Sequence, residues 1–129
     1  MVAILFWSEI LFWLYFINCA VLIMHQIDAS YWKEWEMINL PGGIIGNFIF
    51  NILVVPAFLY GLILVWEGSI IGNIFSLLLS LTGLFVFFFH FYFLKRGDKK
   101  FDMFISKLIL AATLIVSIIE LAVTLFQWL

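Results

Sequence analysis

The sequence predicts an all-α fold, an integral membrane bundle of four transmembrane helices, and two observations carry that reading. First, 67% of the 129 residues are hydrophobic and 11% are charged, where soluble domains run nearer half apolar and a quarter charged. A chain this short leaves a large share of its surface wet when it folds in water, so it cannot hide that much apolar area, and lipid has to be the solvent. Second, the apolar residues gather into four runs, each long enough to cross a hydrocarbon core of ~30 Å at ~1.5 Å per residue. Transmembrane β-strands would instead appear as alternating segments of ~10 residues, and no such segment occurs.

The first span is expected over about 2–26, interrupted by Ser8, Glu9 and Asn18. It lacks the basic start and small-residue cleavage site of a signal peptide, so it is expected to be retained as a helix. The second span covers 44–66 and begins after the helix breaker Pro41-Gly42-Gly43. The third covers 69–94 and the fourth 103–127, so that residues 1–129 form one transmembrane domain. The connection between the first two spans is the longest and most polar. It carries Trp32 and Trp35, residues that favour the membrane–water interface. The first helix is therefore expected to extend into it or to be followed by a short interfacial helix.

Five of the six basic residues, Lys95, Arg96, Lys99, Lys100 and Lys107, fall at the third connection. The positive-inside rule places that connection in the cytoplasm. In a multi-pass protein of the cell membrane, four spans then put loops 25–43 and 95–102 inside, with both termini and Glu67 outside. A net charge of −2 argues against a nucleic-acid partner. Cys19 is the single cysteine, which excludes an intrachain disulfide, and its apolar neighbours mark it as a packing residue. No G-x-S-x-G and no P-loop glycine pattern is present, so serine-nucleophile and P-loop chemistry have no support.

With the topology set, sequence position becomes depth. His25 closes the first span on the cytoplasmic side. His90 lies five residues before Lys95, within two helical turns of the same face. Asn47 and Asn51 sit in the first turns of the second span and share one helix face. If the first helix continues past His25, Asp28, Trp32 and Glu36 stack on the same side, while Glu34 and Lys33 turn toward headgroups or water. Ionisable groups in a membrane cost ~2.5–3.5 kcal/mol each on insertion scales, so they are usually paired and functional. His90, within Phe87-Phe88-Phe89-His90-Phe91, has no local partner, and Asp28 is the expected anionic one. On the outer side Glu9 and Glu120 are expected to approach each other without a cation at their depth. They are candidates to carry a proton, with Glu120 largely protonated.

The expected site thus comprises His25, Asp28, Trp32, Glu36, Asn47, Asn51 and His90, and it binds a small polar or lipid-like ligand near the cytoplasmic leaflet. The same residue types also suit a divalent metal, with His25, Asp28 and His90 as candidate ligands. His25-x-x-Asp28 is much less diagnostic than HExxH. Histidine and carboxyl groups together also suit general acid–base work.

The stretch His25-Gln26-Ile27-Asp28-Ala29-Ser30-Tyr31-Trp32-Lys33-Glu34-Trp35-Glu36, followed by Pro41-Gly42-Gly43, resembles a family of small, uncharacterised bacterial membrane proteins. These have four spans and an HxxDxxYWxEWE…PGG signature. A more distant likeness is to HxxEE-type membrane proteins, from which Asp28 and Ala29 depart. The architecture is loosely similar to the sterol-isomerase-like membrane fold. None of these resemblances implies an activity on its own. Three readings stay open: a ligand-binding site, a metal-dependent membrane enzyme acting on a lipid-like substrate, and a structural or accessory subunit, any of them in a homo-oligomer.

Overall fold

The computed structural model describes residues 2–129, which fold into the helices α1 (Val2–Tyr31), α2 (Glu34–Met37), α3 (Gly43–Trp66), α4 (Ile70–Lys95) and α5 (Phe104–Trp128). No strand occurs among the described residues, so the all-α bundle expected from the four apolar runs is the fold observed. Four helices are long and apolar enough to cross a membrane: Leu5–Tyr31, Gly43–Trp66, Ile70–Lys95 and Phe104–Trp128. α1 runs past Gln26 to Tyr31, and α2 is a single turn after it.

Short connections make successive long helices antiparallel neighbours, in the ring order α1, α3, α4, α5. Among the described residues α3 and α5 do not touch, whereas α1 and α4 meet across the other diagonal. α1 and α4 run in the same direction, which brings residues at corresponding depth face to face. The α3–α4 turn is tight. Gly68 adopts φ 65°, and the Ser69 hydroxyl accepts from the Gly72 amide at 3.0 Å to cap α4. Gly83 supplies the close approach of α4 to α5: a methyl at this position would overlap the Ser117 hydroxyl and press on Thr113.

The distribution of polarity is inverted relative to a water-soluble bundle. Phe48, Leu53, Phe85, Ile115 and many other large apolar side chains point outward. The interior holds as many buried polar residues as apolar ones. Two apolar cores separate the polar groups: Leu11, Tyr15, Cys19, Leu22, Val65 and Leu79 toward one end, and Ala29, Val86, Phe101 and Leu110 toward the other. An apolar exterior around a polar interior suits a bilayer, where the outside gains nothing from water and buried polar groups must be satisfied by protein.

Candidate functional site

Three side chains from three segments converge beneath the second apolar core. His25 comes from α1 and His90 from α4, both 1% exposed, and the diagonal packing of their helices sets their ring centroids 5.1 Å apart. The third group is Glu34. Its Oε1 lies 2.8 Å from His90 Nε2, and its Oε2 lies 3.6 Å from His25 Nε2. The first distance is a charge-assisted hydrogen bond, and the second is an ion-pair contact outside hydrogen-bonding range. One ligand atom from each of the three lies within 4.8 Å of the others. Burial pushes the Glu34 carboxyl up, but the His25 and His90 rings beside it outweigh that and hold it at about 2. Glu34 is therefore a carboxylate facing two imidazoles.

Glu34 reverses the face assignment expected from a continuous helix. That expectation keeps one helical phase from His25 to Glu36, which turns Glu34 outward. The chain instead leaves α1 at Tyr31, and Lys33 adopts the left-handed conformation at φ 54° and ψ 52°. That single residue redirects the backbone, so α2 restarts with Glu34 tucked under the end of α1. Glu36 is thrown outward instead. It is 53% exposed and accepts a hydrogen bond from Lys100 Nζ at 2.8 Å, and that ammonium holds its carboxyl below the usual range.

The other expected site residues form a flanking network. Asp28 Oδ1 accepts from Ser106 Oγ at 3.0 Å, and the Trp32 indole N–H donates to the same serine at 3.0 Å. Asp28 is thus committed to α5 and is not the partner of His90. Asn47 donates to Ser30 Oγ at 2.9 Å, and Asn51 donates to the Asn47 carbonyl at 2.9 Å. Asn47 ties α3 to the end of α1, Asn51 bonds only within α3, and neither makes a hydrogen bond to either histidine.

Phe101 seals the cluster. This residue of the α4–α5 connection is fully buried despite φ 64°, with its ring 4.0 Å from His90 and 5.9 Å from His25, centroid to centroid. Trp32 stands behind it at 6.1 Å. The same connection carries Lys100, which clamps Glu36, so the two polar connections close over one end of the bundle.

The outer acids part company. Glu9 is exposed on α1, whereas Glu120 is fully buried on α5 between Asn18 and Ser76. The expected approach of Glu9 to Glu120 does not occur, because Glu9 falls on the outward face of α1. Asn18 and Ser76 carry no weight in the sequence reading. The α5 spacing Ser106, Thr113, Ser117, Glu120, Thr124, at steps of seven, four, three and four, is the signal that marks this inner polar stripe.

A family model matches residues 11–127, a span that includes the histidine–glutamate trio and all of the Glu120 neighbours. The chain belongs to DUF6713, a family of unknown function. No curated protein and no solved structure matches it.

Proposed function

We propose that this protein is a membrane-embedded metal-binding protein in which His25, Glu34 and His90 hold one divalent transition-metal ion, with zinc as the reference ion. The observation that carries the proposal is the convergence of two imidazole nitrogens and a carboxylate within 4.8 Å. Ligands at ~2.0–2.1 Å from a tetrahedral ion stand about 3.3 Å apart. The distances of 2.8 Å and 3.6 Å from Glu34 to the two rings bracket that value. Two neutral imidazoles and one carboxylate form a borderline ligand set that suits zinc, iron or cobalt better than calcium or magnesium. The charge arithmetic agrees, since the two positive charges of the ion would meet the single negative charge of Glu34, with the Asp28 carboxylate one turn along α1 from His25.

Packing favours holding an ion over turning over a lipid-like substrate. Phe101 and Trp32 cover the trio, and the cavity beside His25 measures about 10 Å³, against ~300–1,000 Å³ for an organic ligand pocket. By the positive-inside rule the site lies toward the cytoplasmic leaflet. The test is metal titration of the purified protein in detergent, stripped with chelator and then loaded with Co²⁺. One equivalent giving the absorption of a tetrahedral Co²⁺ centre, abolished in His90→Ala and Glu34→Gln, is the expected result. Failure to retain any ion would leave the trio as a hydrogen-bonded clamp between helices and would favour the structural-subunit reading.

A further inference from the structure

Seven residues before His25 on α1, about 10 Å along the helix axis, a second polar cluster surrounds Glu120. Asn18 Nδ2 donates to Glu120 Oε2 at 2.5 Å, and Ser76 Oγ donates to Oε1 at 2.7 Å. Ser76 Oγ also lies 2.8 Å from Thr124 Oγ1, with either atom able to donate, and Thr124 donates to the Glu120 backbone carbonyl at 2.8 Å. Ser117 stands 3.2 Å from Asn18 Nδ2. All five residues are at most 2% exposed.

Every group facing this carboxyl is uncharged. α1 presents Asn18 with the titratable Tyr15 and Cys19, whose nearest polar partner is the Phe58 carbonyl. α4 presents Ser76 and Ser80, and α5 presents Ser117 and Thr124. Among the described residues α3 does not touch α5, and its Phe58, Leu62 and Val65 pack against the apolar core around Tyr15 and Cys19. Among the described residues no Lys, Arg or His pairs with Glu120. An ionised carboxylate with no cation in such an interior is costly, and the available remedy is a proton.

The hydroxyls can serve both charge states without moving a heavy atom. With Glu120 ionised, Ser76 and Asn18 each donate to one carboxylate oxygen, as the distances record. With Glu120 protonated, its O–H donates to Ser76, Ser76 donates to Thr124, and Thr124 keeps its bond to the Glu120 carbonyl. A static structural carboxyl needs only one of these patterns.

An independent feature supplies a route. The cavity of about 10 Å³ lies between Asn18 and His25, among Leu22, Leu79, Val86 and Thr113, and it reaches Asn18, the donor to Glu120, although Glu120 itself does not line it. Its volume is close to the space one water requires. His25 borders it at the other end, with its Nδ1 not hydrogen-bonded and its Nε2 turned to Glu34.

We propose that Glu120 is a proton-binding and proton-exchanging site inside the membrane, reached through the water-sized cavity between Asn18 and His25. The carboxyl O–H bond breaks as its proton leaves to a water that enters past Asn18 from the cavity and carries it away as hydronium, and Asn18 and Ser76 hold the carboxylate until a proton returns by the same path. The proposal goes beyond the metal reading and stands without it, because the ligand is a proton and the site residues are different.

Infrared spectroscopy of chelator-treated, metal-free protein in lipid vesicles tests it. A protonated-carboxyl C=O band is expected at neutral pH. It should be absent in Glu120→Gln and should shift promptly on transfer to D₂O. Filling the cavity with Thr113→Ile, or with Val86→Phe should the first variant misfold, is expected to slow that shift about tenfold. Absence of the band in the parent protein, its persistence in Glu120→Gln, or equally fast exchange with the cavity filled would overturn the proposal. Metal titration is not involved in this readout, so either proposal can fail alone.

Discussion

Glu34 Oε1 lies 2.8 Å from His90 Nε2 across 56 positions of sequence, and this bond exists only because the chain folds back at Lys33. Glu34 and Glu36 are two residues apart and chemically identical, yet one faces two imidazoles and the other faces water and Lys100. Glu34→Gln is therefore expected to weaken Zn²⁺ or Co²⁺ binding by about 100-fold or more, while Glu36→Gln leaves it unchanged. Competition against a chromophoric chelator measures both. Equal losses in the two variants would refute the assignment of Glu34 as the ligand.

Acid should loosen this end of the bundle. The Glu34 carboxyl is held at about 2 in the folded protein, below its ordinary value near ~4.3. A group depressed on folding contributes stability that is fully present above the ordinary value and is lost as pH falls toward the folded one. Thermal unfolding in detergent is therefore expected to show a midpoint that drops between roughly pH 4 and pH 2. Glu34→Gln should flatten that part of the profile.

Gly83→Ala is expected to destabilise the bundle by about 1–3 kcal/mol, because an added methyl overlaps Ser117 and must push α5 away from α4. Pairing it with Ser117→Gly should recover part of the loss, since the overlapping hydroxyl is then gone. Unfolding midpoints of the single and double variants are the measurement.

The Lys100–Glu36 pair at 2.8 Å ties the two polar connections together, so both must lie on one side of the membrane. With Cys19 replaced, single cysteines at Lys33 and Lys99 should behave alike toward an impermeant thiol reagent added to intact cells, and one at Glu67 should behave oppositely. The basic loop predicts that Glu67 is the outside position. Labelling of Lys33 and Lys99 from opposite sides would contradict the four-span topology itself.

The bundle was legible because lipid exposure demands long apolar runs, and four of them leave few alternatives. The meeting of His25 and His90 could also be anticipated, since both histidines lie at one depth once the basic loop orients the spans. Glu34 could not be found that way. Its placement depends on a left-handed Lys33, a residue type with no marked preference for that conformation, and a helical phase carried past Tyr31 gives the wrong face. The Glu120 cluster had a readable signal in the α5 polar periodicity. Serine and threonine on a transmembrane helix are so often packing residues that the stripe draws notice only once Asn18 and Ser76 are seen to face it.

Phe101 reaches the histidines from the last connection in the chain, and His90 meets His25 only across the diagonal of the finished bundle. No pair of helices inserted early therefore contains a complete binding site. An ion captured by His25, Glu34 and His90 would bind the assembled form alone and would stabilise it by mass action over partly packed intermediates. Metal occupancy would then act as a checkpoint on assembly, and metal starvation during synthesis should lower the yield of intact protein more than chelation afterwards.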